Sequence, residues 1–291
     1  MLDRVDRIQL AVTDRAAAAA NWGRLFGAEV AREEDSAYLS AKRTILAFGE
    51  SEVELCQPDG AGRAADFIAR RGEGLMTAGL STSDLAGLQR HWRGLGVDPE
   101  VDGEQCYLAA EDHFGMPFVI SPSLMRLRTG VASFLYEVTN TLVSDWRAAA
   151  AHFTGLFGLD ASRFADLESG RFGYIGTLTL FNPPDRLDRI ELSQVTKPDT
   201  AMGRWAGKHG DSLYMCYCET HDLGEMIARL DANGARWTPR GDSQDDERDG
   251  LWVHPSATNG LLLGVSRTTL AWDWSGRPEL IHPTAARGGR T

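Results

Sequence analysis

Cysteine is scarce in this chain: 291 residues hold four, Cys56, Cys106, Cys216 and Cys218, and no C-x-x-C pair. That excludes a disulfide scaffold and suits a reducing, cytoplasmic compartment. Positive charge is short too. Thirty Lys and Arg stand against 41 Asp and Glu, a net charge of −11, which leaves nucleic-acid binding without support. No run approaches the ~18 apolar residues that a membrane span requires, so no membrane partner is expected. The phosphate loop, the dinucleotide fingerprint and the G-x-S-x-G elbow are all missing, and with them those three chemistries. The seven histidines are scattered, with no i,i+4 pair and no H-E-x-x-H, so spacing names no metal site.

What the chain does have is an internal repeat. Val12-Thr-Asp14 through Leu25-Phe26-Gly27 matches Val143-Ser-Asp145 through Leu156-Phe157-Gly158 without a gap, at an offset of 131. Val53-Glu54-Leu55-Cys56-Gln57 matches Ile190-Glu191-Leu192-Ser193-Gln194 at an offset of 137. Gly72–Thr77 answers Gly210–Met215, Ser83-Asp84-Leu85 answers His221-Asp222-Leu223, and Phe114-Gly115 answers Asn259-Gly260. A fold written twice follows, with a first module over 1–122, a linker over 123–130, a second module over 131–268 and a tail over 269–291.

Each module reads as strand, helix and further strands, twice. Arg7–Val12 alternates as a strand, Asp14 is an N-cap, the Ala-rich run to Phe26 is helical, and Gly27 stops it. Strands are expected at Thr44–Phe48, Glu52–Cys56 and Leu75–Ser81, with a helix at Ala64–Arg71 and another from Asp84 to Leu95. Strands near Cys106–Ala110 and Pro117–Ser121 close the module. By strand parity, Cys216 and Cys218 fall on the helix-packed face, as small core residues.

A strand ending in Val-x-Asp, an Ala-rich helix ending in Leu-Phe-Gly, and a closing run such as His254-Pro-Ser-Ala-Thr-Asn-Gly-Leu-Leu-Leu-Gly264 resemble the vicinal oxygen chelate superfamily. Its members include glyoxalases, methylmalonyl-CoA epimerases, extradiol dioxygenases and bleomycin-resistance proteins. The resemblance implies an α+β fold of two tandem modules, each a pair of βαβββ units forming an incomplete barrel around a ligand cavity. It also implies four inward metal-ligand positions per module. Here those positions carry Arg7, Glu54, Thr77 and Val119 in the first module, and Val138, Glu191, Met215 and Gly264 in the second. One carboxylate in each set cannot chelate a divalent ion, so we expect no metal and no cofactor.

The second module's cavity wall, read by parity, is Val138, Asn140 and Leu142 on the first strand, Glu191 and Ser193 on the fourth, Met215, Tyr217 and Glu219 on the fifth, and Leu262, Gly264 and Ser266 on the last. Glu191 is the candidate catalytic base, since burial raises a carboxyl toward useful proton-transfer values; Tyr217 and Asn140 would polarise a carbonyl. The competing reading makes Glu191 a relic, paired to Arg189 or Arg267 or turned outward. In the first module, Arg7 and Gln9 with Glu54 form either a carboxylate clamp or an internal ion pair. His254 stands at the rim of the last hairpin, where it either contacts ligand or orders the turn, while His152 and His221 read as surface residues. The acidic run Gly241–Gly250 reads as a solvated loop and lacks calcium-site order. Trp272 and Trp274 in the tail pack across the module seam, against a partner subunit, or over the cavity; residues 285–291 are expected to be disordered.

The expected function is metal-independent proton transfer, of isomerase, epimerase or lyase type, on a small hydrophobic and oxygenated metabolite, aromatic or acyl-thioester. A non-catalytic binding protein like the bleomycin-resistance members is the alternative. A metal-dependent dioxygenase with unusual ligands is a third. A homodimer is the one protein partnership left open.

Overall fold

The computed structural model describes residues 1–240 and 249–282. The first module runs β1 (Arg4–Ala11), α1 (Arg15–Phe26), β2 (Glu29–Ser36), β3 (Ala41–Phe48), β4 (Ser51–Pro58), α2 (Arg63–Arg71), β5 (Gly74–Thr82), α3 (Leu85–Gly94), β6 (Glu100–Asp102), β7 (Gln105–Leu108) and β8 (Phe118–Pro122). The second repeats it with β9 (Ala132–Leu142), α4 (Trp146–Phe157), β10 (Ala165–Ser169), β11 (Tyr174–Leu180), β12 (Arg189–Val195), α5 (Ala201–His209), β13 (Ser212–Thr220), α6 (Leu223–Ala232), β14 (Trp237–Pro239), β15 (Gly250–Val253) and β16 (Leu262–Arg267). Among the described residues no helix is long and apolar enough to cross a membrane.

Each module forms one curled eight-stranded sheet, ordered β2-β3-β4-β1-β5-β8-β7-β6 and β10-β11-β12-β9-β13-β16-β15-β14. β1 lies parallel to β4 and antiparallel to β5, which is parallel to β8. Two βαβββ units therefore sit side by side. The helices start where the capping residues dictate: Asp14, Asp84, Asp145 and Asp222 each accept a backbone N–H of the first turn, at 2.7 to 3.0 Å. Gly27 and Gly158 close α1 and α4 in the left-handed conformation, at φ 67° and 59°, which glycine adopts without a Cβ penalty.

The sequence reading passed over β2. Its residues, EVAREEDS, are mostly exposed and lack an apolar face, but a charged edge strand discourages pairing with another chain.

One continuous apolar core lies on the helix side of both sheets and joins the modules. Phe118 of β8 meets Phe153 and Phe157 of α4 edge-on, at 5.5 and 5.2 Å between ring centres. Cys216 and Cys218 are buried in this core. The repeat landmarks Phe114-Gly115 and Asn259-Gly260 turn out to be matching left-handed turns at the seam. A Cβ on Gly115 would stand 1.7 Å from the Asp211 carbonyl, and one on Gly260 1.9 Å from that of Glu73. Each module's turn thus packs on the start of the other module's central strand.

The two copies differ by one residue where it matters. In the sheets Gln9 pairs with Glu54 and Thr77, and Thr139 pairs with Glu191 and Met215. Strand partners are therefore offset by 130 while the caps Asp14 and Asp145 are offset by 131. The additional residue between β9 and α4 flips strand parity, since a one-residue slip exchanges the faces of a strand.

Candidate functional site

That slip corrects the expected wall on β9. Val138 belongs to the helix-side core, and Asn140 turns to the seam, where its Nδ2 donates to the Phe114 carbonyl at 2.8 Å. Neither faces the concave side. Glu137 and Thr139 take their places, and no motif announced them; the signal was the unequal spacing between the strand and the helix cap.

Glu191, Tyr217, Met215, Leu262 and Gly264 do come together on the concave face of the second sheet, with Glu219 at its edge. Glu191 is buried at 7% exposure. Its Oε1 accepts from Ser193 Oγ at 2.5 Å, and Glu137 lies close enough for its charge to act on it. Burial first, then the neighbouring Glu137 charge, push Glu191 well above the usual carboxylate range. That shift favours its proton-bearing form. The relic pairing is not what the chain adopts: Arg189 donates through Nε to Glu137 Oε2 at 2.7 Å, and Arg267 pairs with Asp249 at 3.0 Å.

Around this pair stand phenols and indoles. The Tyr217 hydroxyl accepts from Trp252 Nε1 at 2.8 Å, and that of Tyr136 lies 3.1 Å from Ser266 Oγ. Burial raises Tyr136, Tyr174 and Tyr217 above the normal phenol value, so all three remain neutral donors. The tail up to residue 282 crosses this face, as one of the three packing options expected. Ala271, Trp272 and Trp274 join Tyr136, Met215 and Tyr217 in one apolar cluster. Polar ties hold the segment down: Thr269 N–H donates to Glu219 Oε1 at 2.9 Å, and Arg189 Nη1 to Ser275 Oγ at 2.8 Å. Burial pushes the Glu219 carboxyl up to about 7.

The first module's concave face is filled by its own charges. Glu54, fully buried, accepts from Arg7 and Arg43 at 2.9 Å and from Gln9 and Gln105 at 2.8 Å. Burial pushes its carboxyl up, but Arg7 and Arg43 outweigh that and hold it below its ordinary range. Arg7 also meets Asp6 and Glu52, leaving no carboxylate clamp. Tyr38 stacks on Tyr107 at 4.0 Å beside this network.

His254 stays at the hairpin end, its Nε2 3.4 Å from Thr238 Oγ1, apart from the Glu191 group. His152 is not a free surface residue: its Nε2 lies 2.9 Å from His113 Nδ1 at the module seam. The acidic residues at 242–247 lie outside the described residues. Two surface clefts, of about 430 and 350 Å3, share no residue with either concave network.

The donor sets do not fit a divalent metal. In the second module Glu137 is tied to Arg189, while Thr139, Met215 and Gly264 supply no strong ligand beside Glu191. Among the described residues no three His, Cys, Asp or Glu side chains gather as a metal-holding group.

The profile of the Glyoxalase/Bleomycin resistance protein/Dioxygenase superfamily matches residues 6–110. Among solved structures, the chain is similar to a mutant of 4-hydroxymandelate synthase from Streptomyces coelicolor, with a TM-score of 0.70 and 14% identity over 92% of this chain and 93% of that one. It is also similar to a xylose isomerase-like TIM barrel/4-hydroxyphenylpyruvate dioxygenase fusion protein, with a TM-score of 0.64 and 15% identity over 92% of this chain and 49% of the fusion. At these identities the likeness is one of fold. No curated protein matches the chain.

Proposed function

We propose that the second module of this chain, whose first module matches the glyoxalase/bleomycin resistance/dioxygenase superfamily over residues 6–110, catalyses proton transfer, of isomerase, epimerase or lyase type, on a small hydrophobic ligand bearing oxygen. The observation that carries this is the buried pairing of two neighbouring acids on one concave face, Glu191 held by Ser193 and Glu137 held by Arg189 at 2.7 Å. One carboxyl holds a proton and the other, fixed by Arg189, can accept one. A carbon acid bound between them gives its proton to Glu137 while Glu191 delivers one to the developing enolate, and the pair ends the step with its proton moved across. Neutral phenols and the indole-rich wall exclude water, which strengthens each of these interactions.

The test uses phenylacetone as a probe carbon acid, following exchange of its α-hydrogens in D2O by NMR. The wild-type protein should accelerate exchange over buffer, and Glu191→Gln should reduce that acceleration roughly 100- to 10,000-fold. Equal rates for the two proteins would remove Glu191 from the chemistry. The second reading, a protein that only holds its ligand, is favoured by the tail lying across the concave face; in that case Glu191→Gln keeps the affinity and neither protein accelerates exchange.

A further inference from the structure

Building on that reading of the second module, we propose that its ligand is an uncharged carbonyl compound, such as a ketone, amide or lactone, whose oxygen is received by Nη2 of Arg189. Arg189 is fully buried, and of its three nitrogens two are assigned. Nε serves Glu137 at 2.7 Å, and Nη1 serves Ser275 Oγ at 2.8 Å and the Leu187 carbonyl at 3.4 Å. Nη2 is buried without a hydrogen-bond partner among the described residues. A buried donor left unpaired is costly, and in the planar fork it sits beside the nitrogen that holds Glu137. An acceptor oxygen placed there lies next to Glu137.

Charge decides which acceptor fits. The single positive charge of Arg189 is already answered by Glu137 at a buried 2.7 Å contact. Glu191 is neutral in its proton-bearing form. Nearby, Asp188 is answered by Arg186 at 2.7 Å, Glu219 adds negative character, and the further cation Arg240 stacks on the Trp274 ring at 3.4 Å. A ligand carboxylate at Nη2 would thus bury a second anion against one cation, a cost of several kcal/mol. A neutral carbonyl satisfies the same donor without it. The guanidinium carbon stands 4.8 Å over the Tyr136 ring, and the indole of Trp272 shares that apolar cluster, so the remainder of the ligand is a flat hydrophobic skeleton. It enters beneath the tail, whose Ser275 is bonded to the same arginine.

Four probes of matched shape test this with the whole chain at pH 7.5: phenylacetone and phenylacetamide, both neutral carbonyls, phenylacetate, their charged counterpart, and isobutylbenzene, which lacks the oxygen. Ligand-observed NMR should give similar Kd values for the two neutral carbonyls. Phenylacetate and isobutylbenzene should each bind at least about ten-fold more weakly, and Arg189→Lys should erase the preference for ketone over hydrocarbon. Phenylacetate binding as tightly as the ketone overturns the proposal, as does failure of both neutral carbonyls to bind. The wild-type series decides the matter even if Arg189→Lys does not fold. Should the ketone bind selectively while its α-hydrogens fail to exchange, the ligand class stands and the proton-transfer reading falls.

Discussion

Tyr217 lies flat on Gly264, so closely that a Cβ on the glycine would stand 2.1 Å from the ring. The two are strand partners, and the first module reverses the arrangement: Gly79 takes the place of the tyrosine, Val119 that of the glycine, and the Arg7 side chain covers Gly79. Gly264→Ala should therefore overpack the second module at a cost of roughly 1–3 kcal/mol. In a Tyr217→Ala background most of that cost should vanish. A urea double-mutant cycle measures the coupling, and additive effects would show that the ring is not confined there.

Glu191 gives stability a pH dependence of definite sign. Its folded value is raised by burial and by Glu137, so its contribution is fully present below the ordinary carboxylate value and is lost as pH rises through the raised one. Glu191→Gln cannot ionise, so its urea midpoint should decline less than that of wild type on the alkaline side. Parallel declines would place the ionisation elsewhere.

Removing the carboxylate at the centre of the first module should cost stability and spare the second module. Glu54→Gln leaves Arg7 and Arg43 buried without their shared anion, at a cost of about 3–5 kcal/mol. The lowered value of Glu54 means that its contribution is present above the ordinary carboxylate value and is lost as pH falls through the lowered one. Chemical denaturation from pH 7 down to 3 reads both effects. A variant as stable as wild type would mean that the network contributes nothing net.

His113 faces His152 at the seam, and burial together with that neighbour lowers it to about 4. A lowered histidine supports the fold above its ordinary value near 6.5 and withdraws that support as pH falls toward 4. With partial solvent screening, the loss over this window is roughly 1–2 kcal/mol. His113→Phe should flatten the slope between pH 6.5 and 4. An unchanged slope would acquit the pair.

The duplication, the caps and the inward Glu191 were legible because landmark residues survive in both copies. Leu-Phe-Gly persists because a helix must stop at Gly27 and Gly158, and Phe114-Gly115 with Asn259-Gly260 because each turn packs on the other module. What was not legible depended on counting: one added residue before Asp145 moved Val138 and Asn140 to the far face and brought in Glu137. The first module's fourfold grip on Glu54 joins β1, β3, β4 and β7, a convergence that no local pattern records. β2 escaped because its selective constraint is to stay polar.

The seam also sets an order of events during synthesis. Asn259 Nδ2 donates to Glu73, and Val5 N–H to Asp188, across 186 and 183 residues of chain. On the ribosome the first module therefore lacks these seam contacts until much of the second module has emerged. Phe118 and Trp92 face water or a chaperone until α4 has emerged to cover them, and a chain stalled or truncated before that point presents a sticky surface.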